Sequence, residues 1–195
     1  MAAADEQVYE DRYAPGKQHA GLRVHSSRLV SGGLLTYMAT LDELVAGKHL
    51  IELDGGLDGN ELPQRFLYAF PHALKWLDQT LPALEAELGD GKLSPIEQVD
   101  VLFHDFVSDE DFSYYERSHS MLPTNLGVWE MKTTDVRLFG WFPRKATFII
   151  AECDTAFRCK NHNLYPGYRS SVVRRRNILD LDEPKFLTGE YDDVL

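Results

Sequence analysis

Three runs of apolar and aromatic residues, joined by very short links, dominate the second half of the chain. They span 127–132, 136–142 and 147–151, and the links between them are 133–135 and 143–145. Alternation of large apolar residues with other residues is typical of β-strands. Because links this short join neighbouring strands only as hairpins, this segment predicts an antiparallel β-meander.

Two helices are expected before the meander. Residues 64–88 carry leucine and phenylalanine at intervals of three and four, an apolar stripe of helical spacing that Pro71 and Pro82 should break or kink. Residues 94–97, Ser-Pro-Ile-Glu, form a capping box with proline at the first helical position. The second helix should therefore run from 95 to about 107.

After the meander, short helices are predicted over 155–162 and 168–179, followed by an acidic end that is predicted as loop and tail. The order of elements indicates an α+β fold. In this fold two helices are followed by an antiparallel β-meander and C-terminal helices, with an N-terminal extension.

Composition divides the chain into four segments. Residues 1–18 are predicted as a mobile tail, 19–62 as an N-terminal extension of short strands, 63–180 as one α+β domain and 181–195 as an acidic tail.

Within the extension, strands are expected at 22–25, 34–37 and 50–53. Between the last two strands, Thr40 and Glu43 have the spacing of a capping box, which predicts a helical turn.

Charge is distributed unevenly along the chain. The formal net charge is −11, but residues 1–124 carry −12, residues 125–176 carry +6 and the last nineteen residues carry −5. An acidic chain of this kind is not typical of a general nucleic-acid binder. Any site for a polyanion is therefore expected within 125–176.

Several kinds of site are not indicated. The chain has two cysteines, Cys153 and Cys159, which are too few for a disulfide scaffold. No further ligands stand at zinc spacing from them, so we interpret both as packing residues. The seven histidines do not pair at helical spacing, and there is no phosphate-binding glycine loop or HExxH motif. We therefore expect no metal and no cofactor.

No stretch has the roughly 18 uncharged apolar residues of a membrane span. The first residues also lack the basic and then apolar pattern of a signal peptide. We expect a soluble, cytoplasmic protein that does not act at a membrane.

Arg137 shares one face of the predicted middle strand with Phe139 and Trp141. Two interpretations stay open at this point. Its guanidinium either stacks on the rings, ready to meet a base or a phosphate, or is buried and paired with Glu130 or Asp135.

Cleavage of RNA by its own 2′-hydroxyl needs a base for that hydroxyl, positive charge on the phosphate and an acid for the leaving oxygen. The candidate catalytic residues, which offer these groups without a metal, are Arg137, Arg158, Lys160 and His162. The candidate RNA-binding residues are Lys132, Arg144, Lys145, Tyr165, Tyr168 and Arg169. The structural alternative is that residues 165–168 form a packed turn and residues 174–176 are solvated helix positions.

The run LGVWEMKTTDVRLFGWFPRKATFIIA, residues 126–151, resembles the central meander of the RelE/ParE superfamily, in particular the HigB and phage Gp49-like toxins. Residues 127–132 resemble the "glyELR" strand of these toxins, 136–142 their "yRvfyf" strand and 148–150 their third strand. With the preceding pair of helices, the resemblance covers roughly residues 64–176.

The resemblance implies a toxin-like, metal-independent endoribonuclease of a toxin–antitoxin or phage-related system. Such toxins cut mRNA, usually on the ribosome, and are neutralised by an antitoxin protein. By position, Lys132 stands where the family has the arginine of its first strand, and Arg137 matches the arginine of its second strand.

The chain departs from the family after the last strand, where the basic KKTxKTP stretch is replaced by RCKNHNLYP at 158–166. A second function therefore stays open, in which a catalytically inactive RelE-like binding module acts through protein–protein contacts in a mobile-element or phage context. Two further alternatives are that the acidic first 124 residues cover the basic face, and that the chain mimics a nucleic acid.

Overall fold

The predicted meander forms the centre of one six-stranded sheet in the computed structural model of the chain, which describes residues 39–58, 60–86, 93–108 and 117–195. The strands are, in chain order, β1 (Ile51–Leu53), β2 (Phe66–Ala69), β3 (Ser118–Ser120), β4 (Trp129–Lys132), β5 (Val136–Arg144) and β6 (Thr147–Thr155). Their order across the sheet is β1-β2-β6-β5-β4-β3. β2 and β6 pair in parallel, and the other neighbours pair antiparallel.

Helices flank the sheet on both sides. Those in the described ranges are α1 (Leu41–Ala46), α2 (Pro71–Gln79), α3 (Pro95–Val107), α4 (Ala156–Asn161), α5 (Tyr165–Ile178) and α6 (Tyr191–Val194). The predicted α+β fold class is thereby confirmed. In the part of the chain that the structure describes, no helix is long and apolar enough to cross a membrane.

Two helices begin at the predicted capping boxes. At the start of α3, the Glu97 carboxylate accepts a 2.7 Å hydrogen bond from the Ser94 N–H, and the Ser94 hydroxyl accepts one from the Glu97 N–H. Thr40 and Glu43 form the same reciprocal pair at the start of α1. The side chains that satisfy the first N–H groups therefore fix both helix starts.

The helix predicted from residue 64 is wrong at its start. Phe66–Ala69 form β2, and the helix begins only at Pro71. Phe70, the residue before this proline, has φ −67° and ψ 150°, the extended conformation that a following proline favours. The apolar spacing over 66–69 instead reflects a strand that is buried on both faces, as parallel strands usually are.

The sheet has a core on each face. α2 and α3 cover one face, called here the α3 face, where Leu138 and Phe142 of β5 are fully buried. α1, α4 and α5 cover the other, called here the α5 face, where Phe139 and Trp141 are fully buried. This division of β5 between two faces is the one that its alternation predicts.

Segments on either side of the predicted domain join the same sheet. The strand expected at 50–53 is present as β1 and pairs with β2. The end of the chain, expected as loop and tail, contains α6, whose Val194 is completely buried and accepts a 2.8 Å hydrogen bond from the Ala146 N–H. Burial of this apolar side chain holds the acidic end against the sheet. The predictions for 1–18, 22–25 and 34–37 lie outside the described residues.

Candidate functional site

A β-bulge in β6 determines which polar side chains reach the α5 face. Gly140 of β5 pairs with Ile150, whereas the preceding Phe139 pairs with Glu152. Ala151 is therefore the extra residue, and the alternation of β6 reverses after it.

The reversal places two acidic side chains opposite the α5-face residues of β5. Uninterrupted alternation would put Glu152 and Asp154 in the apolar core of the α3 face. Instead, Cys153 enters that core, while Glu152 pairs with Phe139 and Asp154 with Arg137. The bulge thus places both carboxylates of β6 on the α5 face, with Asp154 opposite Arg137.

Arg137 and Glu130 form a buried ion pair. The Arg137 Nε atom lies 2.9 Å from Glu130 Oε1, and the two side chains are 8% and 4% exposed. The Arg137 guanidinium also donates to the backbone oxygens of Val136 and Thr133. Of the two interpretations from the sequence, the structure shows the buried arginine paired with Glu130.

The second carboxylate oxygen of Glu130 faces a half-exposed histidine on the outer strand. His119 Nε2 lies 3.1 Å from Glu130 Oε2, and the two residues are cross-strand partners between β3 and β4. Glu130 is thus a buried anion held by a cation on one side and an imidazole on the other.

Asp154 is bound by two residues of the following helices. The Tyr168 hydroxyl donates a 2.5 Å hydrogen bond to Asp154 Oδ2, and Arg158 Nε lies 3.6 Å from the same oxygen. Burial, together with the hydrogen bond and the charge of Asp154, raises the pKa of Tyr168 above its ordinary value. The phenol is therefore protonated at neutral pH and acts as a donor to Asp154.

Glu152 joins α5 and α2 to the sheet. Its Oε1 atom accepts hydrogen bonds from the Ser171 hydroxyl at 2.5 Å and the Arg175 Nε at 2.6 Å, and His72 Nε2 lies 3.5 Å from Oε2. Burial alone would raise the pKa of Glu152, but the Ser171 hydroxyl and the Arg175 guanidinium outweigh it and hold the pKa below its ordinary value.

The lowered pKa of Glu152 predicts a pH-dependent contribution to stability. This contribution is fully present above the unfolded-state value of about 4.3 and is lost as the pH falls through the folded-state value. We expect Ser171→Ala to lower the free energy of unfolding by about 1.5–3 kcal/mol at pH 7, and by much less at pH 3. Urea unfolding at the two pH values measures the difference.

Ser170→Ala is the matched control, because the Ser170 hydroxyl is exposed and bonds within its own helix to the Pro166 oxygen. Its expected effect is within about 0.5 kcal/mol at either pH. Equal losses for Ser171→Ala at pH 7 and pH 3 would show that Glu152 ionisation is not involved.

Both candidate RNA-binding tyrosines pack inward. The Tyr168 ring stacks on Phe139 with centroids 4.7 Å apart and planes at 11°, and the Tyr165 ring meets Phe139 edge-on at 6.0 Å. Phe139 itself is completely buried. These rings form the contact between α5 and the sheet, which leaves their inner faces closed to a nucleobase.

The other candidate residues divide between two places. Lys132 is the cross-strand partner of Arg137, and Arg158, Lys160 and His162 follow on α4 or directly after it. Arg144 and Lys145 stand at the opposite end of β5, seven or more residues away, which is about 23 Å along a strand. The Arg169 guanidinium donates to the Leu122 oxygen. The structure therefore does not bring the ten candidates into one site.

The three consecutive arginines of α5 differ in their surroundings. Arg174 is exposed, as the structural alternative expects, and Arg175 binds Glu152. Arg176 is 3% exposed, donates to the Leu126 oxygen at 2.8 Å and lies over the Phe186 ring at 3.6 Å. Burial lowers the pKa of Arg176 to about 10, and its role is to hold the loop before β4.

Ion pairs and hydrogen bonds link the polar side chains described above into a network across the α5 face. No cluster of three or more metal-ligating side chains occurs among the described residues. Both cysteines are buried, and burial raises the pKa of Cys159 to about 12, which keeps the thiol protonated. Polar side chains that the sequence did not single out, Glu152, Asp154 and His119, are central to the network.

No family model, curated protein or solved structure matches the chain.

Proposed function

We propose that the chain is a RelE-like binding module that acts through protein–protein contacts and does not cleave RNA. The observation that carries the proposal is the buried pair of Arg137 and Glu130, 2.9 Å apart. The setting proposed from the resemblance is a mobile element or a phage.

A phosphate at Arg137 would have to displace a carboxylate that is already in place. Removing one partner of a buried ion pair costs about 3–5 kcal/mol, because the other charge is left without compensation in a low-dielectric surrounding. The backbone oxygens of Val136 and Thr133 also take up N–H groups of the guanidinium. Arg137 therefore supports the fold and has little capacity left for a substrate.

Tyr168, a candidate for stacking on a base, is also held by contacts within the fold. Tyr168 stacks on Phe139 and donates its hydroxyl hydrogen to Asp154. Moving this ring to a nucleobase would break both contacts, which supports a structural role.

The order of elements supports the RelE-like part of the proposal. α2 and α3 precede the three meander strands, and α4 and α5 follow them. The two helices before the meander are what the resemblance implies over residues 64–176, together with basic residues after the last strand.

A metal-independent endoribonuclease is the second candidate function. The observation in its favour is that Arg158, Lys160 and His162 are all exposed on or beside α4. An imidazole beside two cations has the groups needed for acid–base catalysis on a phosphodiester. In such an enzyme the partners would be mRNA or the ribosome, with an antitoxin protein as the inhibitor.

Induced expression of the full chain in bacteria distinguishes the two functions. We expect normal growth and intact total mRNA, because Arg137 is not available to a phosphate. A known mRNA-cleaving toxin serves as the positive control, and circular dichroism of the purified chain verifies that it is folded. Growth arrest with cleaved mRNA, relieved by His162→Ala, would contradict the binding-module proposal and support the endoribonuclease.

A further inference from the structure

The outward side of α4 combines an exposed aromatic ring with exposed cations. Ala156 and Cys159 point into the core, whereas Phe157 is 57% exposed and the Arg158 side chain is 60% exposed. Lys160 is also exposed. The surface formed by Phe157, Arg158 and Lys160 is called here the α4 patch.

Positive charge around the α4 patch is only partly neutralised. Arg158 and Lys160 stand within residues 155–164, a stretch that contains no aspartate or glutamate. Arg175 is paired with Glu152, and Arg158 lies near Asp154 but stays largely exposed. Among the described residues, no carboxylate pairs with Lys160. A chain of net charge −11 therefore presents a locally positive surface here.

An exposed phenylalanine beside cations is typical of a contact site. Burying the exposed part of this ring against a partner is favourable, and that gain is absent while the ring faces water. Aromatic and arginine residues are also the types enriched at the centres of protein interfaces.

The patch fits an acidic peptide better than RNA. Phe157 is the exposed ring on this surface, and Tyr165 and Tyr168 pack against Phe139, so successive bases have no series of rings on which to stack. The negative charge of the rest of the chain repels a long polyanion more than a short peptide.

We propose that the α4 patch binds an acidic peptide segment of a partner protein, with an apolar side chain of the peptide on Phe157 and its carboxylates on Arg158 and Lys160. This inference rests on the proposed function, since it names the chemistry of the partner that a protein-binding module would take.

Fluorescence anisotropy with a labelled peptide of alternating glutamate and leucine tests the proposal on the full chain. We expect saturable binding that Phe157→Ala and Lys160→Glu each weaken about tenfold, or about 1.4 kcal/mol. Binding should also weaken as salt rises from roughly 0.05 M to 0.2 M. A peptide with lysine in place of glutamate should not bind.

Leu62→Ala and Lys75→Glu are the matched controls, because both positions are exposed and lie outside α4, Leu62 in a loop and Lys75 on α2. They should leave the peptide affinity unchanged. Absence of peptide binding, or equal losses in the control variants, would overturn the α4-patch proposal.

Labelled oligouridylate, assayed in parallel, separates the two proposals. Failure of the peptide with no binding or cleavage of RNA overturns only the α4 patch and leaves the binding module in place. Tight RNA binding that depends on Phe157 and Lys160, together with cleaved mRNA in cells, overturns both.

Discussion

Arg137→Met is expected to lower the free energy of unfolding by about 3–5 kcal/mol. The substitution keeps much of the apolar volume of the side chain but removes the charge that faces Glu130 Oε1 at 2.9 Å. Glu130 is then left as a buried carboxylate whose ion-pair partner among the described residues is half-exposed His119. Chemical denaturation at neutral pH measures the loss.

The double variant Glu130→Leu with Arg137→Met separates a charge effect from a packing effect. Replacing both members of a buried pair by apolar residues is often neutral, so the double variant should regain most of the lost stability. Lys160→Met removes an exposed cation as a control and should change stability by about 0.5 kcal/mol or less. An unchanged stability of the single variant Arg137→Met would mean that Arg137 is not the buried partner of Glu130.

Gly140→Ala is expected to destabilise the chain by about 3 kcal/mol or more, at the upper end of the cost of overpacking. A Cβ atom at this position would lie 2.0 Å from the Ile149 oxygen and 2.7 Å from Phe148 Cζ. The oxygen belongs to the backbone of β6, so relief requires β5 and β6 to separate at the bulge. Separation of β5 from β6 would also disrupt the register that places Glu152 and Asp154 on the α5 face.

Gly167→Ala provides a control with the opposite sign. Gly167 lies in α5, and a Cβ atom there would have no heavy atom within 4 Å. Alanine in place of a helical glycine should stabilise the chain by about 0.5–1 kcal/mol. Thermal unfolding of both variants checks the contrast, and a Gly140→Ala chain as stable as the parent would contradict the close approach at the bulge.

The sequence pattern predicts those elements that are determined by residues close together in the chain. The meander follows from alternation and short links, and α1 and α3 start at capping boxes that can be read within four residues. The apolar spacing of Phe66–Ala69 predicts a helix, but the segment is a strand between β1 and β6, and its partner β6 lies about 80 residues later in the chain. No local signal reports such a pairing.

The candidate site was predicted less completely than the fold. Arg137 and its partner Glu130 were among the predicted alternatives because both lie in predicted strands. Glu152 and Asp154 were missed because strict alternation places them on the α3 face, and only the bulge reverses that placement. Gly140, a residue that is unfavourable inside a strand, is the signal in the sequence that could have indicated the bulge.

The burial of Arg137 against Glu130 is tested most directly by the ¹⁵N–¹H NMR signal of the Arg137 Nε–H group, assigned by its loss in Arg137→Lys. We expect this proton to exchange slowly with water, because it is buried against Glu130 Oε1, and we expect no shift of its signal when an RNA oligonucleotide is added. Fast exchange would contradict the buried pair, and a shift that saturates with RNA would make Arg137 a phosphate ligand.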